Sequence, residues 1–87
     1  MLLVSYNIKD TEVLDKFIIK AKTFGDVQKI LPNCFLIDTQ KDLNDVSASF
    51  RRVLSNNGLF LVAKVVRNEL SGWLSMQSIN WINGKYF

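Results

Sequence analysis

Three residues that could act on a metal or a phosphate lie at or near the ends of short apolar segments. Tyr6 and Asn7 end the segment Met1 to Ile8, and Asp38 lies near the end of the segment Cys34 to Thr39. If the two segments are neighbouring strands, Asp38 could meet Asn7. One carboxylate and one amide would make a poor Mg²⁺ site, because this hard cation favours carboxylate oxygens. We expect structural hydrogen bonding at Asn7 instead.

The inventory of side chains excludes several kinds of catalysis. The chain has no His and a single Cys34, which excludes zinc sites and Ser/His/Asp or Cys/His catalysis. Cys34 cannot form an internal disulfide, and we expect it to be packed rather than reactive. Any metal chemistry must therefore use oxygen ligands. Since Asn7 supplies an amide and not a carboxylate, we predict no catalytic residue, no metal site and no cofactor, and the sequence leans away from an enzyme.

The basic residues allow a nucleic-acid partner without demanding one. The net charge is +3 and the pI about 9.2, a mild excess. Arg51, Arg52, Arg67 and Lys64 are predicted to form a ridge that contacts phosphates, because arginine suits phosphate geometry. The alternative, which the residues leave open, is a solvated helix face that happens to be basic.

Apolar periodicity predicts two helices and a hairpin between them. Asp10 or Thr11 begins the first helix and Gly25 is its predicted stop, whereas Asp42 begins the second. Between the helices, Pro32-Asn33 is a turn joining two strands, 26–31 and 34–39.

The last third of the chain holds a strand and an aromatic tail. The segment Leu59 to Val66 is the strongest predicted strand. The segment Ser71 to Asn83 has helical spacing with Gly84 as a stop. The alternative is a hairpin of residues 79–87 around Asn83-Gly84.

The order β-α-β-β-α-β predicts an α+β, ferredoxin-like plan with a C-terminal helical tail. Its antiparallel four-stranded sheet would carry both helices on one face. Residues 1–87 are predicted to form one domain, with a core of residues 1–67 and a tail of residues 68–87. No apolar run approaches the ~18 residues of a membrane span, and no signal peptide is seen, so we expect a cytoplasmic protein without a membrane partner.

The segment Leu59 to Val66 is apolar on both faces, which a one-sided antiparallel sheet does not require. Either the tail or a second copy of the chain must cover it, and a homodimer is favoured. The predicted dimer interface comprises Leu3, Ser5, Asn7, Phe60, Val62, Val66 and Trp73.

Four short segments carry a resemblance to a known family. These are Val-Ser-Tyr-Asn at 4–7, Cys-Phe-Leu-Ile-Asp-Thr at 34–39, Asn-Gly-Leu-Phe-Leu-Val at 57–62 and Gly-Trp-Leu at 72–74. In their order and spacing, the chain resembles the SinR-like group. Those proteins are similar to the CRISPR-associated adaptation proteins (Cas two) and, more distantly, to VapD toxins. The resemblance implies a ferredoxin-like fold, a homodimer and association with DNA or RNA, in a prokaryote or on a mobile element.

Some members of that family are metal-dependent nucleases, and the resemblance places Asn7 where they carry a metal-binding Asp. Asn57-Gly58 also stand where an Asp usually begins strand four. The favoured function is therefore a non-catalytic homodimer associated with nucleic acid. One alternative is a weak Mg²⁺-dependent ribonuclease or VapD-like toxin using Tyr6, Asn7 and Asp38. The other is a protein-interaction module that does not bind nucleic acid.

Overall fold

The chain folds as a four-stranded antiparallel sheet with α-helices, as a computed structural model describing residues 1–87 shows. The elements are β1 (Leu2–Asn7), α1 (Thr11–Lys22), β2 (Asp26–Leu31), β3 (Cys34–Asp38), α2 (Leu43–Leu54), β4 (Leu59–Lys64), a 3₁₀ turn (Arg67–Glu69) and α3 (Met76–Asn83). The predicted α+β class and antiparallel sheet are confirmed. The tail contains the helix α3, which begins at Met76, and not a hairpin. No helix has the length and apolarity needed to span a bilayer.

Aspartates begin the first two helices, as predicted. The Asp10 carboxylate accepts hydrogen bonds from the N–H groups of Glu12 and Val13 at 2.9 and 3.2 Å. The Asp42 carboxylate accepts one from Asn44 at 2.7 Å. These N–H groups have no partner within the helix, so each aspartate satisfies donors that would otherwise lack one.

Gly25 does not end α1, since that helix already ends at Lys22. It instead permits a close approach of two backbone segments. A Cβ at this position would lie 2.0 Å from the carbonyl oxygen of Asp38. Only glycine lets the chain pass so near the end of β3.

The strand order is β2-β3-β1-β4, and β1 runs antiparallel to both of its neighbours. Leu2 lies opposite Ile37 of β3, whereas Asn7 lies opposite Leu59 of β4. The first residues of β1 are therefore beside the end of β3, and its last residue is beside the start of β4. We call these two ends of the sheet the Asp38 end and the Asn7 end.

Helices α1 and α2 cover one face of the sheet over an aromatic core. Phe17 of α1 is fully buried, and its ring centroid lies 4.3 Å from that of Phe50 on α2. The rings of Tyr6 and Phe60 lie 5.5 and 6.1 Å from Phe17. Tilted rings at such distances pack favourably beyond the area they bury.

Two residues predicted for the dimer interface belong to this covered face. Phe60 pairs with Tyr6 and Val62 with Val4, and all four side chains point toward the helices. Their placement with Asn7 on one surface is therefore wrong. Because strand side chains alternate, the opposite face of β4 carries Leu59, Leu61 and Ala63, which we call the β4 strip.

The face opposite α1 and α2, here the second face, is covered in part by the tail. Ser78 of α3 donates a hydrogen bond to the Lys29 carbonyl of β2 at 3.3 Å, and Leu36 of β3 is fully buried. In contrast, Leu59 and Leu61 are 71% and 66% exposed. The tail thus covers the β2–β3 side and leaves the β4 strip open.

Candidate functional site

Polar side chains surround a shallow hollow at the Asn7 end. Asn7, Lys9, Asp10, Asn57 and Gly58 line it together with Leu59, and its volume is about 390 Å³. The two amides come from the end of β1 and from the turn before β4, which the β1–β4 register brings together. Since the Asp10 carboxylate already caps α1, the hollow offers mainly amide groups and one ammonium group.

The structure does not bring Tyr6 and Asp38 to this hollow. Tyr6 is 8% exposed and points into the core, where its ring packs on Phe17 and Phe35. Asp38 lies at the opposite end of the sheet, because β1 and β3 are antiparallel. The prediction that these strands are neighbours is correct, but the meeting of Asp38 with Asn7 is wrong.

The donors at the Asn7 end do not fit Mg²⁺. Asp10 is the only carboxylate of the hollow, and its Oδ1 atom already accepts two backbone hydrogen bonds. A hard cation that holds its waters tightly needs negative oxygen ligands, and amides cannot replace them. No group of three or more His, Cys, Asp or Glu residues is placed to hold a metal ion.

Two of the four predicted phosphate-contacting residues lie in the last turn of α2, which precedes the turn into β4. Arg51 lines an adjoining hollow that shares Gly58 and Leu59 with the first. Arg52 Nη2 donates to Ser49 Oγ on its own helix at 3.2 Å. Neither arginine forms an ion pair, nor does Lys9. Three cations without acidic partners therefore collect at the Asn7 end.

The other two predicted residues, Lys64 and Arg67, do not join them. Lys64 ends β4 and lines a groove at the Asp38 end, beside Asp42 and Leu43 at the start of α2. The predicted single ridge of four basic residues is therefore not formed.

Arg67 binds the tail. Its Nη1 atom donates to the carbonyl oxygens of Lys85 and Ile82 at 2.5 and 3.4 Å, and its guanidinium lies 5.4 Å from the ring centroid of Phe87. Carbonyl groups at the end of a helix lack partners within it. Arg67 supplies donors there, which gives it a structural role that the sequence did not reveal.

A second tail contact, the tail clasp of Asp26, Trp81 and Lys85, was also missed. Lys85 Nζ and Trp81 Nε1 both bind Asp26 Oδ2, at 2.8 and 3.0 Å. Lys85 Nζ also lies 3.7 Å from Asp38 Oδ2. The partners are 55 and 59 residues apart in sequence, so no local pattern could have indicated them.

The tail clasp shifts the pKa values of two of its own side chains. Hydrogen bonds from Lys85 and Trp81 lower the pKa of the Asp26 carboxyl group. The hydrogen bond to Asp26 raises the pKa of the Lys85 ammonium group. Both shifts favour the charged forms, which are the forms that bind each other.

Burial shifts the pKa of two groups on the central strands β1 and β3. Burial raises the pKa of the Cys34 thiol. Burial, and to a lesser extent the neighbouring Cys34, raises the pKa of the Tyr6 hydroxyl. The thiolate is the reactive form of cysteine, so Cys34 is a packed residue and neither group provides a nucleophile at neutral pH.

An apolar groove, here the tail groove, runs between the second face and the tail. Its volume is about 530 Å³, and Leu3, Leu31 and Ile82 are among its apolar lining residues. None of its lining residues is charged. At its rim stands Trp73, which is 97% exposed.

The other predicted interface residues lie around the same surface. Leu3, Ser5 and Asn7 alternate along the second face of β1, in register with the β4 strip. Val66, just beyond β4, is 48% exposed. An interface through these residues stays a prediction.

Comparison of the chain with protein-family models, with curated proteins and with solved structures gives no significant match.

Proposed function

We propose that this chain is a non-catalytic homodimer that associates with nucleic acid through the Asn7 end. We further propose a ferredoxin-like plan and kinship with the SinR-like and CRISPR-associated adaptation proteins, in the cytoplasm of a prokaryote or on a mobile element. The element order β-α-β-β-α-β and the strand order β2-β3-β1-β4 support that plan.

The observation that carries the proposal is the open β4 strip. Leu59 and Leu61 are 71% and 66% exposed on an edge strand. Exposed apolar edge strands promote aggregation unless something covers them. The tail reaches the β2–β3 side only, so a second copy is the simplest partner that is always present.

The cations at the Asn7 end support a phosphate partner. Lys9, Arg51 and Arg52 have no acidic partners, and the amides of Asn7 and Asn57 add donors that can bind phosphate oxygens. A homodimer would present this end twice. Such contacts give affinity without reading the base sequence.

The same end argues against a metal-dependent nuclease. Its single carboxylate caps α1, and phosphodiester hydrolysis by Mg²⁺ needs carboxylates that fix the ion. We expect no cleavage of RNA or DNA with Mg²⁺ or Mn²⁺. Robust cleavage that is lost in Asn7→Ala would contradict the non-catalytic proposal.

Two measurements test the binding proposal. Sedimentation equilibrium at micromolar concentration should give twice the mass of the chain. Affinity for a generic duplex or single strand should fall steeply between about 50 and 200 mM salt. Arg51→Gln with Arg52→Gln should weaken binding and reduce the salt dependence by about one unit of slope per lost contact.

A matched control is available at the other end of the molecule. Lys22→Gln with Lys41→Gln removes the same charge from exposed residues outside the Asn7 end. That pair should change affinity less than the arginine pair. Equal losses would indicate attraction by net charge alone, and no binding at about 50 mM salt would leave only a protein-interaction role.

A further inference from the structure

We infer that Trp73 is the anchor of the homodimer and that it inserts into the tail groove of the second copy, reciprocally across a twofold axis. This inference rests on the proposed homodimer and names the residue and the pocket through which it forms.

The exposure of Trp73 needs an explanation that its own chain does not supply. The side chain is 97% exposed, although the apolar tail groove lies directly beside it. Neighbouring Gly72 has no atom within 4 Å of where its Cβ would be, so the space on that side of the backbone is open. An exposed tryptophan on such a segment is placed to enter another molecule.

The groove is suited to receive an aromatic ring. A volume of about 530 Å³ lined largely by apolar side chains falls within the range of ordinary ligand pockets. Tryptophan is among the residues that most often dominate binding energy, when it fills a dry pocket near the centre of an interface.

The absence of charge favours a second copy as the occupant. None of the residues lining the tail groove is charged, and the second-face positions of β1 and β4 are Leu, Ser, Asn and Ala. In an isologous interface each patch meets the same patch of the partner, so any charge near the twofold axis would face a like charge. A nucleic acid would instead require cations here.

The available area also suits a dimer. Trp73 can bury ~200 Å². Leu31, Leu59 and Leu61, which are 50%, 71% and 66% exposed, add ~60 Å² each if a buried leucine removes ~100 Å² of apolar area from water. Together they provide about half of the ~800 Å² that each partner buries in a stable interface, and the tail backbone and groove walls would supply the rest.

Sedimentation equilibrium of single variants is the first test. Trp73→Ala should raise the dimer dissociation constant about thirtyfold or more, with an unchanged circular dichroism spectrum because Trp73 touches little of its own chain. Tyr86→Ala is the control, since Tyr86 is fully exposed and does not line the groove, and it should leave the constant unchanged.

Mixing two variants tests reciprocity. Trp73→Ala removes one residue from the rim of the groove but keeps its apolar wall of Leu3, Leu31 and Ile82, while Leu31→Lys keeps the tryptophan and places a charge in that wall. A mixed dimer retains one intact tryptophan–groove contact, so it should form more tightly than either variant alone. A mixture no tighter than its components overturns the inference.

The outcomes separate this inference from the proposed function. If the chain dimerises and Trp73→Ala dimerises equally well, the inference fails while the homodimer stands. If Trp73→Ala weakens only nucleic-acid binding, Trp73 stacks on bases and the inference also fails. A monomer at all concentrations up to about 100 μM, far above the dissociation constant of a typical specific interface, overturns both.

Discussion

Lys85 Nζ lies 2.8 Å from Asp26 Oδ2, so the last residues of the chain are bound to the first residue of β2. Trp81 Nε1 donates to the same oxygen at 3.0 Å. Arg67 then binds carbonyl oxygens at the end of α3. Both sets of contacts hold the C-terminal end of α3, and the hydrogen bond from Ser78 to the Lys29 carbonyl holds its first turn against β2.

As the pH falls, the tail should lose its contact with Asp26 before the core of the protein unfolds. The pKa of Asp26 is lowered by folding, so its contribution to stability is present above the unfolded value of about 3.9 and is lost as the pH falls below it. The pKa of Lys85 is raised, so its contribution is present below about 10.4 and is lost at higher pH. Between about pH 5 and 9 the clasp should be constant.

Hydrogen exchange of the α3 amides can measure this loosening. Exchange should accelerate as the pH falls below about 4, after correction for the intrinsic rate, while the amides of β1 stay protected. Asp26→Asn should exchange faster at neutral pH and lose most of the acid dependence. The same acid profile in both proteins would contradict a role for the Asp26 carboxylate.

Gly25→Ala should destabilise the fold. The new Cβ would lie 2.0 Å from the Asp38 carbonyl oxygen, so β3 or the segment before β2 must move, at a cost of about 1–3 kcal/mol. Urea denaturation measures the free energy of unfolding. Gly72→Ala is the matched control because the space around Gly72 is open, and its effect should stay within about 0.5 kcal/mol. If both substitutions lowered the free energy of unfolding equally, the close approach of Gly25 to the Asp38 carbonyl would be contradicted.

Adjacent residues of β4 should differ sharply in their effect on stability. Phe60 is partly buried and packs against Phe17 and Phe50 of the core, so Phe60→Ala should lower the free energy of unfolding by about 3 kcal/mol. Leu61 is 66% exposed, so Leu61→Ala should cost less than about 1 kcal/mol when the chain is too dilute to associate. The reverse order would show that the two faces of β4 are assigned the wrong way round.

Arg67 should affect the tail and not the binding of phosphate. Arg67→Gln removes the donors that reach the Lys85 and Ile82 carbonyl groups, so the α3 amides should exchange faster. The salt dependence of nucleic-acid affinity should stay unchanged, unlike that of the Arg51 and Arg52 variants. A reduced slope for Arg67→Gln would return this residue to the phosphate-binding group.

Local signals in the sequence predicted most of the elements. The Asp42 cap and its apolar stripe placed α2, and the Pro32-Asn33 turn fixed the hairpin of β2 and β3. Each of these features depends on residues within a few positions of one another. The boundaries of β2 were predicted to the residue.

Distant contacts were predicted less well. The meeting of Asn7 and Asp38 depended on strand direction, which puts them at opposite ends of neighbouring strands. In β4, Phe60 and Val62 look as apolar as Leu59 and Leu61, so periodicity alone could not decide which pair faces the helices. The tail clasp depends on where α3 packs, for which the sequence has no local signal.

Because side chains alternate along β4, its even-numbered residues contribute to stability while its odd-numbered residues face outward. Phe60 and Val62 hold the strand to the body of the protein, whereas Leu59 and Leu61 remain available to whatever approaches from outside. Substitutions at the odd positions could therefore alter what the molecule recognises while leaving its folding intact. On such a strand, a change of partner would need no compensating change in the interior.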